Sequence, residues 1–293
     1  MRQYVAGLLI LVIALAGGAQ GTSAADVTGS DVTGSEVAES AVAAADPTRY
    51  WPDPLSDIVD LGTEERFYWL TRSDRGSVLE FPSTFDRLRI WVGGDSLSGG
   101  PAWGLQAEVS GNVRYDLTQD IRRSTGVVTE WFFDWRGYLR DEVSLGGYDV
   151  VVLAMGGNDA QRFGGHPDRV GSPEWLERYS ARIDEMIRSL DAPGRIVIWV
   201  GMPAVEPPTI AGLPAIVNPL AEAVTQRYRR AFYVDAMSVI SPDNQFQIYL
   251  TGPDGVERQV RVDDGVHYTI AGGRLVAAPI LQIIEAHSAP SPT

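Results

Sequence analysis

Five short apolar runs recur between residues 88 and 234, and the intervals between them carry helical spacing. The runs at 88–92, 112–117, 149–155, 195–200 and 231–234 read as strands. The most apolar of them, Val150-Val151-Val152-Leu153-Ala154-Met155, has no polar position at all, which marks a strand covered on both faces. Helical periodicity is clearest at 173–190. There Trp175, Leu176, Tyr179, Ile183, Met186, Ile187 and Leu190 fall on one face, and Pro173 suits a first turn. A second helical segment reads at 217–229, and a shorter one at 102–109 is marked by the spacing of Trp103 and Ala107. Doubly covered strands alternating with amphipathic helices predict an α/β domain, a three-layer α/β/α sandwich around a central parallel sheet.

Two stretches break the alternation. Residues 245–250 and 256–262, on either side of Thr251-Gly252-Pro253-Asp254-Gly255, predict a small β-hairpin insertion with its turn at Asp254-Gly255. A last helix follows at 271–286. Upstream, residues 1–25 combine Arg2, an apolar run over 5–16 and the small residues Ser23-Ala24-Ala25, the layout of a signal peptide. The run is short of the roughly 20 residues that span a bilayer, and an uncleaved N-terminal anchor is the alternative. Residues 26–48 repeat Asp-Val-Thr-Gly-Ser twice and are small and acidic, which predicts a disordered linker. Residues 49–85 set Tyr50, Trp51, Phe67, Tyr68 and Trp69 among prolines and charges. They read as an N-terminal extension packed on the domain, with a helix near 64–71. The domain proper is expected over 86–287 and a disordered tail over 288–293. The leader predicts a secreted or cell-envelope location.

Composition then narrows the chemistry. A formal net charge of -14 over 293 residues argues against nucleic acid as a partner. All 24 basic side chains are arginine, so Ser-Lys dyads, Schiff bases and a P-loop lysine are excluded. Cysteine is absent, which removes a thiol nucleophile, a thiolate metal site and a lipidated N-terminus. Histidine occurs only at 166, 267 and 287, with no pair at metal-ligand spacing. No metal and no cofactor are expected, and composition says nothing of the oligomeric state.

Three segments, each at a strand end or ahead of a helix, carry the polar groups: Gly94-Asp95-Ser96-Leu97, Gly156-Gly157-Asn158-Asp159 and Asp264-Gly265-Val266-His267. Taken singly, each has a bland explanation as a helix cap, a turn or a surface histidine. Parallel strands, however, deliver their carboxyl ends to one edge of a sheet, so Ser96 and Asn158 can face each other. His267 is then the candidate base, with an acid three residues before it. Position 98 is serine, so Ser96 is not in the Gly-x-Ser-x-Gly elbow of α/β-hydrolases.

The combination resembles the SGNH hydrolases, or GDSL esterase/lipase family, over roughly residues 88–286, and in particular a bacterial exported subgroup of undefined substrate. Gly94-Asp95-Ser96-Leu97 matches the nucleophile block, Gly156-Gly157-Asn158-Asp159 the Gly-x-Asn-Asp block, and Asp264-x-x-His267 the last block. The family's glycine block is less marked, and Gly126 in Ser124-Thr125-Gly126 is the choice for it. The resemblance implies a flavodoxin-like sheet and a Ser96-His267-Asp264 triad, with Asp263 as the substitute acid. It also implies an oxyanion hole made by the N–H groups of Ser96 and Gly126 and the amide of Asn158.

The expectation is therefore an exported serine esterase. It would hydrolyse short O-acyl, acetyl-like esters of a carbohydrate or small alcohol through an acyl-enzyme. An O-acyltransferase with the same site, or a non-catalytic glycan- or protein-binding module of the cell envelope, are the alternatives. Trp131, Phe132, Phe133 and Trp135 could line an acyl or sugar site or pack as core and rim. His166 reads as an exposed loop residue, and His287 as part of the fraying tail.

Overall fold

The computed structural model describes residues 87–252 and 254–288. The expected leader, linker and N-terminal extension lie outside the described residues, as does the tail from 289 on. The first apolar run becomes β1 (Leu88–Gly94), with every residue buried except Arg89. It runs through a 3-10 turn, Ser96–Ser98, into α1 (Gly99–Val109). Then come β2 (Tyr115–Ile121), a short α2 (Trp135–Tyr138) continued by a π-helical turn, and β3 (Val150–Ala154), whose five residues are all buried. The chain continues with α3 (Pro173–Leu190), β4 (Ile196–Val200), α4 (Leu213–Thr225), β5 (Ala231–Val234) and a short α5 (Ala236–Ile240). A two-stranded antiparallel hairpin, β6 (Tyr249–Thr251) and β7 (Glu257–Gln259), precedes the closing helix α6 (Ile270–Ser288).

The sheet is five-stranded and parallel throughout, in the order β2-β1-β3-β4-β5. Helix α1 packs along α6 and α3 along α4, giving the three-layer α/β/α sandwich. In this order the chain leaves β1 toward one edge and returns through β3 toward the other. That opens a crevice at the carboxyl ends of β1 and β3, where α/β sheets bind ligands. Backbone fit is tight there. Gly94 has φ of 144°, and a Cβ on it would lie 1.9 Å from the Ala154 carbonyl oxygen of β3. Helix α3 starts where its sequence says it should, with the Ser172 hydroxyl accepting from the Trp175 N–H at 3.3 Å and Pro173 in the first turn.

Several boundaries differ from expectation for identifiable reasons. Strand β2 begins three residues later than the expected 112, because Asn112 closes a turn onto Val109 and its side chain takes the Arg114 N–H. It also runs on to Ile121, since as an edge strand it is half-exposed and carries polar residues that an apolar-run reading cuts short. Helix α1 starts at Gly99 rather than 102. Trp103 and Ala107 lie on its exposed side, while Ala102, Leu105 and Val109 face the core. Helix α4 spans 213–225 rather than 217–229, with Pro214 in its first turn and Gln226 to Tyr228 turning toward β5. The hairpin arms are shorter than expected. Helix α6 extends to Ser288, so His287 is helical and packs its ring 4.5 Å from that of Phe232. Among the described residues no helix is long and apolar enough to cross a membrane.

Candidate active site

Ser96 is half-buried at the first position of the turn after β1. The turn is set by Asp95, whose Oδ1 accepts from the Leu97 N–H at 2.8 Å while its carbonyl accepts from the Ser98 N–H at 3.1 Å and the Ser98 hydroxyl at 2.7 Å. The other carboxylate oxygen of Asp95 accepts from the N–H groups of Gly156 and Gly157 at 2.8 and 2.9 Å. One buried side chain thus ties the segment after β1 to the segment after β3. Burial pushes the Asp95 carboxyl up to about 6, against the pull of those N–H donors and of His267 nearby.

A second buried aspartate repeats the device one loop further on. Asp159 accepts from the Val127 and Val128 N–H groups, each at 3.0 Å, and from the Tyr179 hydroxyl of α3 at 3.0 Å. Its burial, with Asp95 as a like charge close by, pushes its carboxyl up to about 7 in spite of these donors. Gly126 is required by this packing, because a Cβ there would fall 2.2 Å from Asp159 Oδ1. The Asn158 amide donates to the Thr125 carbonyl at 2.8 Å, and the Arg122 N–H donates to the Gly94 carbonyl at 2.8 Å. The loop that carries Gly126 is therefore fixed to both strand ends. Among the described residues neither the Ser96 N–H nor the Gly126 N–H has a protein acceptor.

The histidine comes from the segment between the hairpin and α6. His267 Nε2 stands 2.8 Å from Ser96 Oγ, and Nδ1 stands 2.7 Å from Asp264 Oδ2. A carboxylate only accepts, so Nδ1 carries the proton and Nε2 presents its lone pair to the Ser96 hydroxyl. The second Asp264 oxygen takes the N–H groups of Val266 and His267 at 2.8 and 2.9 Å. Desolvation pushes the Asp264 carboxyl up, but the His267 N–H, the His267 ring and the Val266 N–H outweigh it and hold the group below the usual carboxylate range. Asp263 instead accepts from Gln259 Nε2 at 3.0 Å, so Asp264 is the acid that pairs with the imidazole. Gly265, with φ of 76°, forms the turn between them, and its carbonyl accepts the Glu206 N–H from the loop after β4.

All five residues singled out from the sequence therefore belong to segments held together at the β1/β3 edge. Asp95 and Asp159 were not singled out. The signal open to a sequence reading was an acid directly beside Ser96 and another directly beside Asn158, each just after a largely apolar, buried strand. The aromatic run divides. Trp135 is buried, with Nε1 donating to Thr125 Oγ1 at 2.9 Å, and Phe133 packs against it. Trp131 and Phe132 are 73% and 55% exposed. His166 is exposed in its loop. Among the described residues no group of three histidine or acidic side chains is placed to hold a metal ion.

The arrangement brings a hydroxyl, a base with an oriented tautomer and uncommitted N–H donors to one spot, which is the equipment for acyl transfer. The nucleophile, glycine, asparagine and histidine blocks meet here as in the SGNH-type hydrolases that the sequence resembles. No curated protein sequence matches the chain. Among solved structures it is similar to LAE5, described as an α/β hydrolase enzyme from the metagenome of Lake Arreo in Spain, at 18% identity. That alignment covers 69% of this chain and 97% of the other, with a TM-score of 0.49. It is also similar to Axe2, an acetylxylan esterase from Geobacillus stearothermophilus, at 15% identity over 69% of this chain and 96% of that one, with a TM-score of 0.46. Residues 89–283 match the family model described as protein of unknown function, DUF459. Because that match spans more than half of the 293 residues, the chain belongs to the DUF459 family.

Proposed function

We propose that this chain is an exported serine esterase that removes short O-acyl, acetyl-like groups from a carbohydrate or small alcohol. The observation that carries the reading is the unbroken relay from Ser96 Oγ through both nitrogens of His267 to Asp264, at 2.8 and 2.7 Å. In this mechanism Ser96 Oγ attacks the ester carbonyl as its proton passes to His267 Nε2. Asp264 holds the ring and stabilises the imidazolium. The carbonyl oxygen, now negative, is met by the N–H groups of Ser96 and Gly126 and by the Asn158 N–H not engaged with Thr125. Collapse expels the alcohol, which takes the proton from His267. Water then attacks the acyl-enzyme with His267 again as base, releasing the acid and restoring Ser96.

The exported location rests on the leader-like residues 1–25, and the short acyl group on the SGNH resemblance. The exposed faces of Trp131 and Phe132, on the segment that follows Gly126, suit an apolar or sugar-ring contact. Acetate release from p-nitrophenyl acetate tests the reading. Wild type should turn over, and Ser96→Ala should lose about 10⁴-fold or more of that rate. Equal rates in the two would remove the serine mechanism. Acyl transfer to an added sugar in preference to water would replace hydrolase by O-acyltransferase.

A further inference from the structure

Beside the relay lies a buried ionic group that it does not use. Arg261 is fully buried and forms no ion pair among the described residues. Its guanidinium donates to three backbone carbonyls instead: Nη1 to Ala204 at 2.8 Å, Nη2 to Val266 at 2.6 Å and Nε, more weakly, to His267 at 3.4 Å. The flat cation lies against two rings, 4.8 Å from the centroid of Phe246 and 5.1 Å from that of Tyr268. Tyr268 in turn packs on the first turn of α1, where a Cβ on Gly100 would sit 2.3 Å from the ring. Gly100 is four residues after Ser96. The Arg261 side chain therefore grips the backbone that carries His267 and abuts a ring seated on the helix that starts beside Ser96.

A buried cation with no carboxylate in direct contact is costly, even with Asp264 near enough to favour its charge, and an apolar side chain of the same size would cost the fold less. What a guanidinium offers is a rigid planar fork that can hold several carbonyls in fixed directions while stacking on an aromatic face. We infer that Arg261 is a positioning residue, whose fork holds the Val266–His267 backbone so that the His267 imidazole stays in reach of Ser96 Oγ. The link to Ala204 extends this hold to the loop after β4, which also meets the histidine segment through the Glu206 N–H and the Gly265 carbonyl at 2.8 Å. The inference rests on the esterase reading for its kinetic consequence but not for its structural one. A lysine keeps the charge and loses the fork, so Arg261→Lys separates the effect of the charge from that of the fork.

The test uses the purified full chain with Arg261→Lys, Arg261→Met and Phe246→Leu, the last loosening one wall while leaving the fork intact. Displacing a general base by about 1 Å costs up to about 100-fold. For p-nitrophenyl acetate, kcat per folded molecule should accordingly fall about 10- to 100-fold in both arginine variants. KM should stay within about threefold of wild type, and Phe246→Leu should lose less. The 2.7 Å contact of His267 Nδ1 with Asp264 should give wild type a low-field Nδ1–H proton resonance, which should broaden or vanish in Arg261→Lys and Arg261→Met. That resonance does not need turnover, so a wild type that hydrolyses nothing defeats the esterase reading and leaves this inference to the spectrum. Arginine variants with wild-type kcat and an unchanged resonance would overturn it. So would a loss of activity that merely tracks the folded fraction, or, should both arginine variants fail to fold, a Phe246→Leu protein with wild-type kcat and resonance.

Discussion

In the proposed mechanism Asn158 divides one amide between two tasks. One N–H is committed to the Thr125 carbonyl, which fixes the loop bearing Gly126, and the other would meet the developing oxyanion. Losing one such donor costs about 10² to 10³ in turnover, so Asn158→Ala should retain measurable hydrolysis while KM changes little. Steady-state kinetics on p-nitrophenyl acetate check this, and a wild-type kcat would remove the amide from the oxyanion site. Ser96, Asn158, Asp264 and His267 were legible in the sequence because their residue types declare their chemistry and their blocks sit at strand ends. Asp95, Asp159 and Arg261 were not. Most of their partners are backbone groups, several of them on distant loops, and backbone partners leave no residue-type signature in the chain. Asp95 reads locally as a turn former, which it is, while its second oxygen holds Gly156 and Gly157 some sixty positions away.

Among the elements, those buried on every side were the easiest to read. Strand β5, although at one edge of the sheet, matches its expected bounds because all four residues are apolar and buried, whereas β2, the half-exposed strand at the other edge, hides its carboxyl-terminal half among polar residues. Helix α1 was the least legible face. Its contact with α6 runs through glycines, so the large residues Trp103 and the neighbouring polar positions lie outward, and an apolar-spacing reading picks the wrong side. That contact is close. A Cβ on Gly104 would come within 2.0 Å of the Gly273 carbonyl oxygen. Gly104→Ala should therefore force α1 and α6 apart and destabilise the domain by about 1–3 kcal/mol, despite the better helix propensity of alanine. Urea unfolding measures the change, and an unchanged or raised midpoint would mean that the two helices do not meet there. Because α1 starts beside Ser96 and α6 starts three residues after His267, the same substitution should also lower kcat.

For the molecule as a whole, the buried carboxyls set an uncommon response to pH. Desolvation raises Asp95 to about 6 and Asp159 to about 7, and pushes Asp235 and Glu222 up as well. Unfolded carboxyls are ionised above about pH 4, so between there and neutrality the folded chain holds more protons than the unfolded one. Stability should then rise as pH falls from about 7.5 toward 5.5. Carboxyls held low, such as Asp264 and Glu130, oppose this only below their unfolded values. Relief of the formal charge of -14 works in the same direction. Melting temperatures across that range check the sign, and Asp159→Asn should flatten the slope; a melting temperature that falls steadily on acidification would contradict the assignment. The central claim is more direct than any of these, namely that Ser96 is a nucleophile activated by His267. Labelling the purified chain with a fluorophosphonate and mapping the modified peptide tests it in one step. The account predicts a single adduct on the peptide that contains Ser96, absent in Ser96→Ala and slow to form in His267→Ala. An unlabelled wild-type chain, or an adduct elsewhere that survives Ser96→Ala, would contradict it.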